Sequence, residues 1–303
     1  MTTCAPIGRL QPPEFYLGYG AAITGRPTLG YSGSWLLATG FSPTMPELPE
    51  VEAVCSRLRR TALGAEIAVA RIFRASVTRP QLVKTVKRRA SGRTIESIRR
   101  RGKNILIDLS GGEVLHVHLR MTGDLAVIPD ARFRAATVRA AFEFSDGRAL
   151  VFNDPRALGK IWAGEERLGE IGLEPLEKSF TTDAFDALMR ASKQPVKLFL
   201  LDQRHVAGIG NIYAAEALFR ACIDPRRLAR SIARAHRKAL HAAIIEVLQE
   251  AVAESECVYN APGDEFPSAV YGREGEPCPR CHTSIRRIPQ GGRSTYFCPR
   301  CQR

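Results

Sequence analysis

From Pro46 onward the apolar positions keep step with a helix, then with strands, then with helices again. In PELPEVEAVCSRLRR, Val51, Val54, Cys55 and Leu58 fall at i, i+3, i+4 and i+7, which predicts one helical face. Pro49 suits its first turn, and Glu50 and Glu52 lie near its positive dipole end. The period then drops to two. In NILIDLSGGEVLHVHL, Ile105, Ile107 and Leu109 alternate before a Gly111-Gly112 turn and a second strand, and AAFEFSDGRALVF repeats the hairpin signal around Asp146-Gly147. The expected unit is a mostly antiparallel, two-layer β-sandwich. After about Gly172 the period is helical, with helices expected over 182–191, 196–203, 211–221 and 231–252. In the last, Ile232, Ala235, Ala239, Ala243, Ile244, Val247 and Leu248 form a core-facing stripe. No internal repeat is present.

Charge adds a partner to this picture. The 303-residue chain has a formal charge of +13 and a pI near 9.7, which favours an anionic partner, nucleic acid first, since polyphosphates reward distributed Lys and Arg. No run approaches the roughly 18 apolar residues of a membrane-spanning helix. Residues 1–44 are different in kind: Arg9, Glu14 and Arg26 are their only charges, among seven Gly and five Pro, with no lasting period. They lack the basic start and apolar block of a secretory signal and the arginines of a transit peptide. They read as disordered, cleaved, or the product of an upstream start.

Four of the eight cysteines, Cys4, Cys55, Cys222 and Cys257, are scattered, and four cluster at the end as Cys278, Cys281, Cys298 and Cys301. Two Cys-x2-Cys pairs separated by sixteen residues suit knuckles that complete a tetrahedral Cys4 zinc site better than two disulfides. A closed thiolate shell makes that zinc structural, and metal binding folds a segment too short for its own core. Between the knuckles, Arg286, Arg287 and Arg293 sit on a glycine-flanked hairpin suited to phosphate. In VAGIGNIYAAEALF, Gly208 and Gly210 separate two helices with Asn211 expected at the N-cap, leaving an open helix N-terminus as a second phosphate site.

The segments MPELPEVE, RRRGKNILIDL, HLRMTG, FNDPRALG, LDQRHVAGIGNIYAAEALF and VYGREGEPCPRC…GGRSTYFCPRC, in this order, resemble bacterial formamidopyrimidine-DNA glycosylase from Met45 to Arg303. The resemblance implies an α+β protein of four parts. They are a leader over 1–44, a catalytic β-sandwich domain over 45–172, a helix–two-turn–helix domain over 173–268 and a zinc finger over 269–303. It implies a monomer in the bacterial cytoplasm that works on double-stranded DNA. There it excises oxidised purines, chiefly 8-oxoguanine opposite cytosine and formamidopyrimidines, and then cleaves the strand at the abasic site.

The resemblance also assigns residues. Pro46 is the nucleophile, as the secondary amine exposed when Met45 is removed, and Glu47 is the general acid/base, with Glu50 assisting nearby. Lys103, His118, Asn211 and Arg293 grip phosphates, and Lys197 lies near the damaged base, where the residues alone suggest a solvated charge. Extrusion of the base leaves a gap. Met121 fits it as an apolar wedge, with Arg156 reading the orphaned cytosine. Two departures bear on lesion range. Leu158 stands where the family usually carries Phe, and the segment ESECVYNAPGDEFPSAV is shorter than usual, which points toward formamidopyrimidines or oxidised pyrimidines. An internal proline nitrogen is an amide and no nucleophile. Either translation starts at Met45, the leader is cleaved, or the chain is a non-catalytic binder of damaged DNA.

Overall fold

The computed structural model describes residues 45–132, 135–258 and 267–303; the leader over 1–44 and the middle of the shortened segment lie outside them. The first helix, α1 (Leu48–Thr61), has Pro49 in its first turn and buries Val51, Val54, Cys55 and Leu58, as the spacing predicts. Eight strands follow: β1 (Glu66–Ile72), β2 (Arg93–Arg101), β3 (Asn104–Leu109), β4 (Glu113–His118), β5 (Asp124–Ile128), β6 (Val138–Phe144), β7 (Ala149–Asn153) and β8 (Lys160–Ala163). A helix α2 (Val83–Ala90) lies between β1 and β2. The ladder runs β5-β7-β6-β1-β2-β3-β4-β8 and is antiparallel throughout. Its middle is thin. β1 and β2 meet only at Glu66↔Thr94 and Ile67↔Arg93, beside a β-bulge, so two four-stranded halves fold over one another. Their inner faces, with α1 and α2, share one apolar core that includes Ile67, Ile107, Val117, Phe142, Leu150 and Ile161.

The helical part comprises α3 (Thr182–Ala191), α4 (Val196–Leu201), α5 (Asn211–Arg220) and α6 (Arg234–Val258). Thr181 caps α3, accepting the Ala184 N–H at 3.2 Å. α4 ends two residues sooner than its apolar pattern, because the Asp202 carboxylate turns back onto the Arg204 N–H and guanidinium. α6 begins three residues later than expected, since Ala229–Ser231 form a separate 3-10 turn, and it continues to Val258. The second core contains Phe185, Phe199, Tyr213, Leu218 and, from α6, Ile244 and Val247, and it also takes in Leu48. The first residue of α1 is therefore buried in the helical part, and burial of one Leu contributes about 1.5–3 kcal/mol. A hairpin of β9 (Arg286–Gln290) and β10 (Arg293–Phe297) closes the chain around a third cluster containing Phe219, Val270, Ile285, Cys278 and Cys298.

Candidate active site and DNA interface

Because Leu48 is held in the second core and its N–H donates to the Gly208 carbonyl at 3.0 Å, Glu47 is delivered to the start of α5. Its carboxylate accepts the N–H groups of Gly210 at 2.6 Å and Ile212 at 3.0 Å, and the more distant Tyr213 N–H at 3.4 Å. A carboxylate at a helix N-terminus meets both free donors and the positive dipole end. This corrects two expectations. Gly210, not Asn211, is the cap residue, and the N-terminus expected to stay open for phosphate is filled by Glu47. At Gly210 a Cβ would lie 2.3 Å from the Glu47 carboxyl carbon and 2.4 Å from Lys103 Nζ, so a larger residue would push both side chains from their places. Gly208 has φ +80° and a Cβ there would strike Leu48, so the turn and the approach of α1 depend on the same residue.

Around Glu47 the buried charges crowd together. The Glu47 N–H donates to Glu50 Oε2 at 2.8 Å, and the Tyr213 hydroxyl donates to the other Glu50 oxygen. Burial, and then the neighbouring Glu47 carboxylate, raises the Glu50 pKa. Lys103 is 6% exposed and has no hydrogen bond or ion pair among the described residues. Burial pulls its pKa down, Glu47 opposes that, and Arg293 adds to it. Pro46, half-buried, directly precedes this cluster.

Lys197 departs from the solvated charge that its residue type suggests. It is fully buried, and its Nζ donates to the Ser294 carbonyl at 3.0 Å and Thr295 Oγ1 at 2.7 Å. Burial, reinforced by Arg293 and opposed by Glu47, takes its pKa down to about 7. Asn211 Nδ2 donates to the same Ser294 carbonyl at 3.0 Å, so Lys197 and Asn211 both end on β10, one residue from Arg293. Arg293 itself is exposed and unpaired among the described residues. His118, at the end of β4, accepts the Arg120 N–H on Nδ1 at 3.1 Å, and burial first, then Arg120 and Lys103, take its pKa down to about 3. It is thus a neutral imidazole with its proton on Nε2, a donor that carries no charge.

The half-buried Met121 and the exposed Arg156 and Leu158 lie on two further loops. Arg156 Nη1 lies 3.9 Å from Met121 Sδ, and Leu158 is 38% exposed. Both loops are pinned by Asp154, which is fully buried and accepts from the Thr122 hydroxyl and from the Gly159 N–H at 2.7 Å.

Sequence reasoning missed Asp154, Tyr213 and two other buried carboxylates. Glu174 accepts from Arg100 Nη1 at 2.6 Å, Arg101 Nη1 at 3.0 Å and the Gly102 N–H at 2.5 Å, so these arginines anchor the turn that carries Lys103. Glu216 on α5 accepts the N–H groups of Ala269, Val270 and Tyr271 at 2.8–3.0 Å, seating the segment that leads into the zinc module. The Asp-Pro and Gly-Asn turn signals flank Asp154 and Tyr213, but nothing local marks Glu174 or Glu216 as buried.

The four terminal cysteines bring their sulfurs within 4.8 Å of one another, with Cys278–Cys301 at 3.9 Å and Cys281–Cys298 at 3.5 Å. Four thiolates about 2.3 Å from one zinc ion would be roughly 3.8 Å apart, so the cluster fits one tetrahedral zinc and is too open for disulfides. With all four positions taken, that zinc is structural.

Family models match the chain in three consecutive stretches: the formamidopyrimidine-DNA glycosylase N-terminal domain at 45–161, the H2TH domain of the same enzymes at 171–260, and the zinc finger found in FPG and IleRS at 275–303. A formamidopyrimidine-DNA glycosylase of Thermus thermophilus is 42% identical over 275 residues, covering 85% of this chain and 98% of its own. That of Ruegeria pomeroyi is 41% identical, covering 86% and 100%. Among solved structures, MutM (Fpg) from Thermus thermophilus matches with a TM-score of 0.74 at 38% identity, over 85% of this chain and 98% of that one. Lactococcus lactis Fpg bound to DNA containing Fapy-dG matches with a TM-score of 0.77 at 30% identity, over 85% and 100%. The order of the matched stretches and the four-cysteine cluster agree with these matches, and the chain belongs to the formamidopyrimidine-DNA glycosylase family.

Proposed function

We propose that this DNA glycosylase and abasic-site lyase excises oxidised purines from duplex DNA through the Pro46 amine. The observation that carries the reading is the Glu47 carboxylate, fixed on the α5 N-terminus next to Pro46 and beside the buried Lys103 ammonium. A proline α-amine with a pKa near the usual ~7.7–8.0 is partly unprotonated at neutral pH. Its lone pair forms the N–C1′ bond while the glycosidic bond breaks toward the base, which takes up a proton. The Glu47 carboxylate takes the proton that the amine loses and passes it to the ring oxygen as the C1′–O4′ bond opens, leaving an iminium on C1′. Loss of a C2′ proton expels the 3′-phosphate, and a second elimination expels the 5′-phosphate. Met45 precedes Pro46 in the chain, so its nitrogen is an amide until the residues before it are removed. With those residues retained, the protein holds damaged DNA without cutting it.

Lys103, neutral His118, Asn211 and Arg293 grip the phosphates of the extruded nucleotide, and Lys197 borders the damaged base. Met121 and Leu158 fill the gap in the stack, with Arg156 against the orphaned cytosine. The enzyme works as a monomer in the bacterial cytoplasm. No helix among the described residues is long and apolar enough to cross a membrane.

The sequence before the zinc module is shorter than the family's usual one, which favours formamidopyrimidines or oxidised pyrimidines over 8-oxoguanine, and Leu158 offers a smaller, non-stacking wedge. Lactococcus lactis Fpg is solved with DNA containing an oxidised pyrimidine. Single-turnover excision on three matched duplexes tests the preference. The expected order puts a formamidopyrimidine first, and a clear lead for 8-oxoguanine would overturn it.

A further inference from the structure

The outer face of β3 and β4 carries a polar pair that the chemistry above does not use. His116 is fully buried and Asn104 is 9% exposed, and His116 Nε2 lies 2.8 Å from Asn104 Oδ1. Asn104 Nδ2 donates to the Arg101 carbonyl at 3.0 Å, so Oδ1 is the acceptor and the imidazole proton sits on Nε2. His116 Nδ1 is then a buried acceptor with no partner. The ring packs against Trp162 at 4.9 Å between centroids, on the neighbouring strand. Burial keeps this imidazole neutral, with a pKa near 4.

Strand register gives the pair its meaning. Asn104 is directly opposite His118, and His116 is opposite Leu106, so the Asn104–His116 bond runs diagonally across the two strands. Lys103 immediately precedes Asn104. One bond therefore ties the turn bearing Lys103 to the strand that ends in His118. On the other face of the same strands Ile105, Ile107, Leu115 and Val117 pack into the apolar core. An apolar pair would extend that packing without leaving a buried nitrogen unmet.

We propose that Asn104 and His116 are positioning residues, whose buried hydrogen bond sets the spacing between Lys103 and His118 at the DNA backbone. This rests on reading Lys103 and His118 as phosphate contacts. The alternative is that the pair merely fills space.

The two are separated by titrating the zinc-loaded full-length chain against a duplex with an uncleavable tetrahydrofuran abasic site, over a range of salt. The double variant Asn104→Leu/His116→Phe replaces both partners by apolar groups, so its Tm is expected to hold or rise. Its affinity is expected to fall about tenfold, with the slope of log K against log salt shallower by about 0.9, the value for one lost cation–phosphate contact. His116→Gln, whose amide still donates to Asn104, is expected to keep wild-type affinity and slope. Lys103→Ala and His118→Ala run alongside. If Lys103→Ala lowers affinity and slope while the double variant matches wild type, the positioning role is wrong. If Lys103→Ala and His118→Ala leave both unchanged, the phosphate reading fails and this proposal fails with it. A fall in Tm that accounts for the lost affinity, with no change of slope, also overturns it.

Discussion

The two groups of candidate site residues are built in opposite ways. Behind Pro46, the groups are buried and non-local: Glu47 bonds to N–H groups of Gly210 and Ile212, and Lys197 and Asn211 meet on the Ser294 carbonyl. Three separate parts of the chain must pack before those charges come together. By contrast, Met121, Arg156 and Leu158 sit on two loops whose common support is one buried carboxylate, Asp154. The first group has little freedom, since a Cβ at Gly210 already collides with Glu47 and Lys103. The second can change a side chain, as Leu158 for the family's usual Phe illustrates, without disturbing its support. The proposed function puts reaction type on the buried group and lesion choice on the exposed one.

Substitutions on each side test that division. The largest effect is expected at Glu47. In a chain beginning at Pro46, Glu47→Gln should lower single-turnover excision by about 10²–10⁴-fold, the usual reach of a positioned acid/base. Leu158→Phe should shift the ratio between lesions and leave abasic-site cleavage within a few-fold. Equal losses from the two would erase the distinction.

Next comes the buried support of the Lys103 turn. Glu174→Ala would leave Arg100, whose side chain is 8% exposed, without one of its two carboxylates, and should cost about 3–5 kcal/mol in denaturant unfolding. A loss no larger than that of an exposed pair such as Arg234–Asp183 would contradict the support assigned to it.

A smaller effect follows from Lys197. Its pKa is lowered from 10.5 to about 7 on folding, so between those values the unfolded chain holds a proton that the folded one has released. Stability from this group is therefore poorest below about pH 7 and recovers as the pH rises toward 10.5. Unfolding at about pH 7 and about pH 9.5 should show wild type gaining on Lys197→Met at the higher pH. Parallel behaviour would mean that the amine stays charged in the folded state.

Much of the architecture could be read from local pattern. Val51, Val54, Cys55 and Leu58 mark the buried face of α1, the Gly111-Gly112 and Asp146-Gly147 turns mark two hairpins, and Cys-x2-Cys spacing marks the metal site. What escaped was set by distant partners. Gly210-Asn211 reads as an open helix start until a carboxylate from 163 positions earlier fills it. Lys197 in an amphipathic stretch reads as solvated, because the strand that covers it lies 97 residues on. Glu174 and Glu216 look like surface acids for the same reason: their burial is a property of the domains they join.

The most direct measurement is borohydride trapping on an abasic-site duplex and on duplexes carrying each lesion. A chain whose first residue is Pro46 is compared with the full 303-residue chain, and the N-terminal mass of each is checked. The account predicts a covalent protein–DNA adduct from the chain beginning at Pro46 and none from the chain that keeps residues 1–45. An adduct from both, with the longer mass intact, would place the nucleophile elsewhere. Absence of an adduct from the shorter chain, even on the abasic site, would contradict catalysis through Pro46.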